Sequence, residues 1–485
     1  MRSKADRIEA PPYPYVIPIF RNSVAFAFDI LGTIKSISRN YENMPVRLYF
    51  FTQTIYLISG AQNIRDIFSK SRDLSTKPLL LNILDTAFGL PPSDARIFES
   101  DNSEMYHKPS SGSHVAPEMR LFHNSHRLFS QELTGRSLAE LSRQFIRIFA
   151  MRLAKKSDEI GNDWAEIPDI FGFIRDEAFI ATTVALCGDN ALTLSPDFAK
   201  EFWLFDSWVP ALVMEIPRWF IPKGFSAREN ILQSIMKWHE FADKHFDSAG
   251  EISDDVLWEP VYGHKLMRER AKMYKPTGLS AKGRAANDLG MIWGANANIV
   301  PSASWYLIYI LSDRELTKRV RGEIAQAFLT EYLGSVDVTK LNSCPILQSI
   351  ISEVLRLNMA IFINWTPVAQ DFTFGKCGPA KKDAAAELSS IDGNPIIHND
   401  KEAKFTLDGL KGVYIPFGGG VNMCPGRQYA KNEMALAVAM LLWAFDIEFW
   451  DLEGVKKTGQ SLSAFGVGTL TPDRENAIRL RKRKL

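Results

Sequence analysis

From Leu289 to Ser312 the chain runs without a single charged residue. A run of that length is enough to cross the hydrocarbon core of a bilayer, about 30 Å thick, as a helix. It must therefore be buried, in lipid or in protein. Its middle carries Asn296, Asn298, Pro301, Ser302 and Ser304, groups that are costly in lipid unless they face a partner or a cavity. A central helix buried in protein is the better expectation. Pro301 has no N–H to donate, so a bend or a freed carbonyl is expected near it.

A chain that buries such a helix needs a large body around it, and the pattern elsewhere supplies one. Residues 63–70, 137–155, 176–187 and 227–245 show apolar spacing of the helical kind. Residues 46–51 and 54–59, between Pro45 and Gly60, have the pattern of a β-hairpin. Residues 99–117 and 374–396 are expected to be irregular, and the basic run 479–484 to be a solvated final strand or tail. The expected class is mainly α with small β-sheets. Lys and Arg number 57 against 56 Asp and Glu, a net charge of +1, which gives no pull towards nucleic acid. Cys187, Cys344, Cys377 and Cys424 form no CxxC pair. Neither a structural zinc site nor a disulfide framework is expected, and the compartment should be reducing or the cytosolic face of a membrane. Residues 1–10 are short and charged, and Pro11, Pro12, Pro14 and Pro18 follow with no signal-peptide core before them. Residues 16–31 are apolar but interrupted by Pro18, Arg21, Asn22 and Asp29, a stretch able to lie on a bilayer but not to span it.

The chemistry is concentrated at Pro416-Phe417-Gly418-Gly419-Gly420-Val421-Asn422-Met423-Cys424-Pro425-Gly426-Arg427, followed by a helix-forming stretch. Three glycines allow close approach of the backbone to a flat, bulky group. Cys424 stands just before a helix N-terminus, where the dipole favours a thiolate and backbone N–H groups can reach the sulfur.

This run resembles the heme-binding signature of the cytochrome P450 family, with Phe417, Gly420, Cys424, Gly426 and Ala430 at the family's spacing. The resemblance implies a single domain over residues 11–485, with heme b lying between the central helix and the cysteine loop and Cys424 as the axial ligand of the iron. An axial thiolate pushes electron density onto heme iron and favours O–O cleavage. Glu353 and Arg356, one helical turn apart, resemble the family's structural Glu–Arg pair. Arg127, four residues after His123, is the candidate for a heme propionate contact, and Phe465-Gly466-Val467-Gly468 resembles the last substrate-contacting loop.

The departures from the family pattern lie at the site. Asn422 stands where most members carry a basic residue, Thr366 where many have a propionate-binding Arg, and Ala297 and Asn298 where most have an acid and a Thr. Ala297 cannot move a proton, and Asn298 can hydrogen-bond but is a poor acid or base. The stretch from Trp293 to Trp305 is similar to the branch that holds sterol 7α-hydroxylases and prostacyclin synthase. The resemblance implies a monooxygenase acting on a lipophilic substrate (sterol, terpenoid, polyketide or fatty acid), with Asn298 as the hydrogen-bonding residue over the heme. It further implies electrons from an NADPH-cytochrome reductase docking near Arg427 and Lys431, at the cytosolic face of the endoplasmic reticulum by peripheral contact or in the cytoplasm. Two alternatives stay open: an isomerase or dehydratase that rearranges a hydroperoxide or endoperoxide, and a degenerate heme protein without activity.

Overall fold

The computed structural model describes residues 9–50, 53–249, 252–368 and 405–484. The charged residues 1–8, Cys377 and the expected irregular stretch 374–396 lie outside the described residues. The chain divides into two compact units, Met1–Ser75 with Thr366–Met423, and Thr76–Trp365 with Cys424–Leu485.

The smaller unit is built on the expected hairpin. Val46–Phe50 and Gln53–Leu57 pair antiparallel, with Val46 opposite Leu57. Ile37, Val46 and Leu48 form its core, with Tyr13, Phe26, Tyr41, Phe50 and Leu57 packed around them. The proline-rich segment lies along the hairpin edge, where the Arg47 N–H donates to Pro11 O and the Tyr13 N–H to Arg47 O. The fully buried Asn22 ties segment to hairpin. Its Oδ1 accepts from the Tyr49 N–H at 2.8 Å and its Nδ2 donates to Pro14 O. Buried polar groups are retained where they are bonded in this way. Thr366 lies in a two-residue strand against Leu74–Ser75 and is exposed.

The larger unit is helical. Gly135–Ile160 and Ile170–Cys187 pack along each other, and Pro222–Ala249 and Arg427–Ala444 complete the long helices expected from apolar spacing. The expected 137–155 and 227–245 are extended at both ends and 176–187 at its start, while the expected 63–70 is Ala61–Ser69 of the smaller unit, ending one residue short. The sheets of the larger unit are small. Ile478–Lys482 lies between Ala165–Ile167 and Phe445–Phe449, antiparallel to both, and carries the basic run. There Arg479 pairs with Glu448 and Arg481 with Asp446, and both guanidinium groups lie over the Trp164 ring. The expected solvated final strand is thus a strand with a charged outer face.

The uncharged run is buried in protein. It forms two helices, Ala281–Asn296 and Ile299–Leu311, interrupted at Ala297 and Asn298. Pro301 is the cause. Four residues before it, Ala297 is the carbonyl that its missing N–H would have met, and the ladder resumes with Ser302 N–H on Asn298 O at 3.2 Å. Among the described residues no helix is long and apolar enough to cross a membrane.

Candidate functional site

The second of these helices is almost wholly buried and the first is not. In Ala281–Asn296 most residues are inaccessible, but beyond an accessible first turn that carries Lys282 and Arg284, the residues Asn287, Gly290, Met291, Trp293 and Gly294 are reachable, and so is Asn298 just beyond. Of these, Asn287, Met291, Gly294 and Asn298 fall three or four apart, on one stripe of the helix, with Gly290 next to it. A Cβ built on Gly294 would meet nothing within 4 Å. From Asn287 onward the open part of this helix carries glycines, Met291, Trp293 and two carboxamides, and no accessible charge.

Asn298 closes the stripe and is held in place. Its Oδ1 accepts from the Thr469 N–H at 2.8 Å. Thr469 ends the strand Val467–Thr469, which pairs antiparallel with Met359–Ile361. Two further bonds fix the same strand to the central helix. Ser302 Oγ lies 3.3 Å from Thr469 Oγ1, and the Trp305 indole donates to Leu470 O at 2.7 Å. The structure thus joins two separate sequence candidates, Asn298 and the 465–468 loop. Gly468 is required there, since a Cβ on it would stand 2.7 Å from Asn298 Oδ1. Because an N–H must meet oxygen, the bond to Thr469 settles which way the amide points. Nδ2 is left as the donor, and it meets no acceptor among the described residues.

Cys424 also belongs to the larger unit. Of the three described cysteines, Cys187 and Cys344 are buried and Cys424 is exposed. The backbone N–H groups of Gly426 and Arg427, at the start of Arg427–Ala444, act on the Cys424 thiol to lower its pKa, and the Arg427 N–H donates to Cys424 O at 3.4 Å. The expected thiolate preference is overruled in the free thiol: burial pushes it above its usual value, and the N–H groups with the Arg427 charge oppose that without cancelling it. A metal ion would supply what is missing, since a ligating thiol loses its proton. An open thiol under two backbone donors fits the axial position of a heme iron. Gly426 serves the same end; its Cβ position lies 3.8 Å from Sγ.

The other sequence candidates take different positions. In the smaller unit Gly418 and Gly420 have φ of +68° and +63°, conformations that favour glycine. The close approach of Gly419 and Gly420 is to the protein itself, with Cβ positions 2.3 Å from the Phe68 ring and 3.0 Å from Phe68 O. Phe417 is half-buried. Asn422 Oδ1 is buried without a hydrogen-bond partner among the described residues, as suits a carboxamide that turns to meet a bound group. Arg127 is exposed and donates to Gln131 on its own helix at 3.2 Å. Glu353 and Arg356 form a bidentate pair, with Nε to Oε2 at 2.7 Å, and both are half-exposed. A pair that open to solvent adds little stability.

One group was not foreseen. Asp206, last residue of Phe198–Asp206, accepts a bond from the Trp293 indole at 2.8 Å. The sequence signal was a lone acid in the apolar, aromatic stretch 202–214.

The described fold and site have counterparts. A cytochrome P450 family model matches residues 11–375 and 399–473. Cytochrome P450 monooxygenase efuG of Hormonema carpetanum is 31% identical over 98% of this chain and 90% of its own length. Cytochrome P450 monooxygenase fsoE of Humicola fuscoatra is 30% identical over 100% of this chain and 89% of its own. The 25-hydroxycholesterol 7-alpha-hydroxylase of Rattus norvegicus is 28% identical over 72% of this chain and 86% of its own. A solved structure of a cyanobacterial cytochrome P450 with bound retinoic acid superimposes with a TM-score of 0.67 at 15% identity, over 99% of this chain and 100% of that one. Matched by the family model on both sides of 376–398, and aligned almost end to end with two fungal monooxygenases, this protein belongs to the cytochrome P450 family, the heme-iron oxidoreductases that incorporate oxygen into their substrates.

Proposed function

We propose that the protein hydroxylates an unactivated carbon of a lipophilic substrate of the sterol, terpenoid, polyketide or fatty-acid class. It would use molecular oxygen, heme b held by Cys424, and electrons from an NADPH-cytochrome reductase. The observation that carries the reading is the open stripe of the central helix. From Asn287 onward it offers glycines, Met291, Trp293 and carboxamides and no accessible charge, a surface on which an apolar skeleton loses little on leaving water.

A heme held by Cys424 would supply the oxygen-activating chemistry. The chain's own residues set the conditions. Cys424 is oriented by the Gly426 and Arg427 N–H groups. Asn298, with its oxygen on Thr469, presents the Nδ2 N–H, a donor but not an acid. Ala297 offers nothing to a proton, so protons reach the site by water rather than through a side-chain acid. Arg427 and Lys431, in the first turns of the cysteine helix, form the basic part of the reductase contact. Phe417, Gly420 and Gly426 shape the cofactor loop, and Arg127 reaches a propionate once its bond to Gln131 is released. Exposed Met214, Trp219 and Phe220 beside Arg218 and Lys223 support peripheral contact with a membrane surface, consistent with a site at the endoplasmic reticulum.

Aerobic turnover with reductase and NADPH over a panel of such lipids, with mass analysis, tests the reading. A product heavier by one oxygen atom is expected. Product formed without oxygen or reductase would instead establish rearrangement of a peroxide.

A further inference from the structure

We infer that Asp206 is the polar anchor of the substrate, its free carboxylate oxygen accepting a hydrogen bond from an alcohol group on an otherwise apolar skeleton. The inference rests on the proposed function and names the substrate class more closely.

The surroundings of Asp206 are apolar and aromatic. Phe88 lies 5.9 Å from the Trp293 ring and 6.1 Å from the Phe205 ring, measured between centroids. The same Phe88 ring covers Gly290, whose Cβ position would be 3.4 Å from it. Asp206 is thus bonded to Trp293, an accessible residue of the central helix, and Trp293 shares the Phe88 ring with Gly290. In that setting a carboxylate is costly unless it is bonded. The only protein group bonded to it among the described residues is the Trp293 indole, which occupies Oδ1. Oδ2 has no such partner, yet it is not among the sealed, partnerless atoms of the structure. It reaches open space.

Its bond to Trp293 uses one oxygen, and among the described residues it forms no ion pair and caps no helix, in contrast to Asp288, which lies against Arg270 and His239. Burial pushes Asp206 up to about 6, with the Trp293 N–H pulling down. At neutral pH it is ionised and can only accept a bond, so its natural partner is a donor. A site built to bond a substrate hydroxyl discriminates strongly against the analogue without it, because its own polar group is then left unpaired. Trp293 precedes Asn298 by five residues, about 7 Å along a helix axis. The alcohol therefore lies towards the end of the substrate remote from the reacting carbon.

The test uses the heme-loaded enzyme and reads the spin-state shift of the heme band on binding. The probes are matched pairs on three skeletons: cholesterol, abietol and farnesol, each against its methyl ether. On every skeleton that binds, the alcohol is expected to bind at least about tenfold tighter than the ether, as for a hydrogen bond to a charged acceptor. In Asp206→Leu the preference falls to within about twofold, with the ether's affinity kept, and Asp206→Asn is intermediate. An unchanged reduced carbon monoxide spectrum shows both variants to be folded around heme. Equal binding of alcohol and ether by the wild type, or a preference that survives in Asp206→Leu, would overturn the anchor and leave the oxygenase reading standing. No response to any pair would overturn the lipophilic-substrate reading and the anchor with it.

Discussion

The side-chain oxygen of Asn298 and the backbone N–H of Thr469, 171 positions apart in the chain, are joined at 2.8 Å. The bond fastens the interruption of the central helix to the strand Val467–Thr469. Thr469 is buried, so its N–H has no water to turn to if the oxygen is removed.

Asn298→Ala should therefore destabilise the folded enzyme by about 1–3 kcal/mol, the cost of a buried donor left unpaired. Asn298→Asp keeps an acceptor oxygen and should retain most of that stability. Urea unfolding of the heme-loaded proteins measures both. Equal losses in the two variants would show that the bond contributes nothing.

This bond marks where the sequence is legible and where it is not. Elements specified by local pattern were readable: the hairpin at Val46–Phe50 and Gln53–Leu57, the long helices, the final basic strand and the cysteine loop. Pro301 announced a disturbed helix because its missing N–H acts on a carbonyl a fixed four residues away. Pairings between distant segments were not readable. Nothing local links Asn298 to Thr469, or Asp206 to Trp293, 87 positions away. The glycines of the cysteine loop suggested approach to a flat group, and for Gly419 the group is the ring of Phe68. The free Cys424 thiol followed its burial more than the helix dipole, since desolvation there outweighs the backbone N–H groups and the Arg427 charge together.

Glu433 gives a pH signature. The Thr182 hydroxyl shares its one hydrogen between Ala178 O, 2.9 Å away, and Glu433 Oε1. Burial pushes Glu433 up to about 8 from its usual 4.5, against the pull of Thr182 and Tyr429. An acid whose folded pKa is raised keeps its proton in the fold and releases it on unfolding. Between the two values its contribution to stability falls by roughly 1.4 kcal/mol for each rise of one pH unit. Glu433→Gln, neutral at every pH, should gain on the wild type steadily from about pH 5 to about pH 8, and little below that. Unfolding midpoints of both proteins across that range check this. A constant difference would mean that Glu433 is ionised in the fold.

Asp288 holds a buried charge cluster together. It lies 2.8 Å from Arg270 and 3.0 Å from His239, with all three side chains nearly inaccessible. Burial works to raise its pKa, and Arg270 and His239 more than offset that and hold it below the usual carboxylate value. Asp288→Ala strands the Arg270 charge in the interior and should destabilise by about 3–5 kcal/mol. The paired change Asp288→Leu with Arg270→Met should recover much of that loss. Thermal unfolding of the single and paired variants decides the matter, and a single variant with wild-type stability would contradict it.

The absorption spectrum of the reduced carbon monoxide complex tests the role of Cys424 most directly. The heme-loaded wild type should show the red-shifted band of an axial thiolate, and Cys424→His should convert it to the band of an imidazole-ligated heme or lose heme altogether. A wild-type protein with an imidazole-type band, or a thiolate-type band that survives in Cys424→His, would contradict the assignment of Cys424 as the iron ligand.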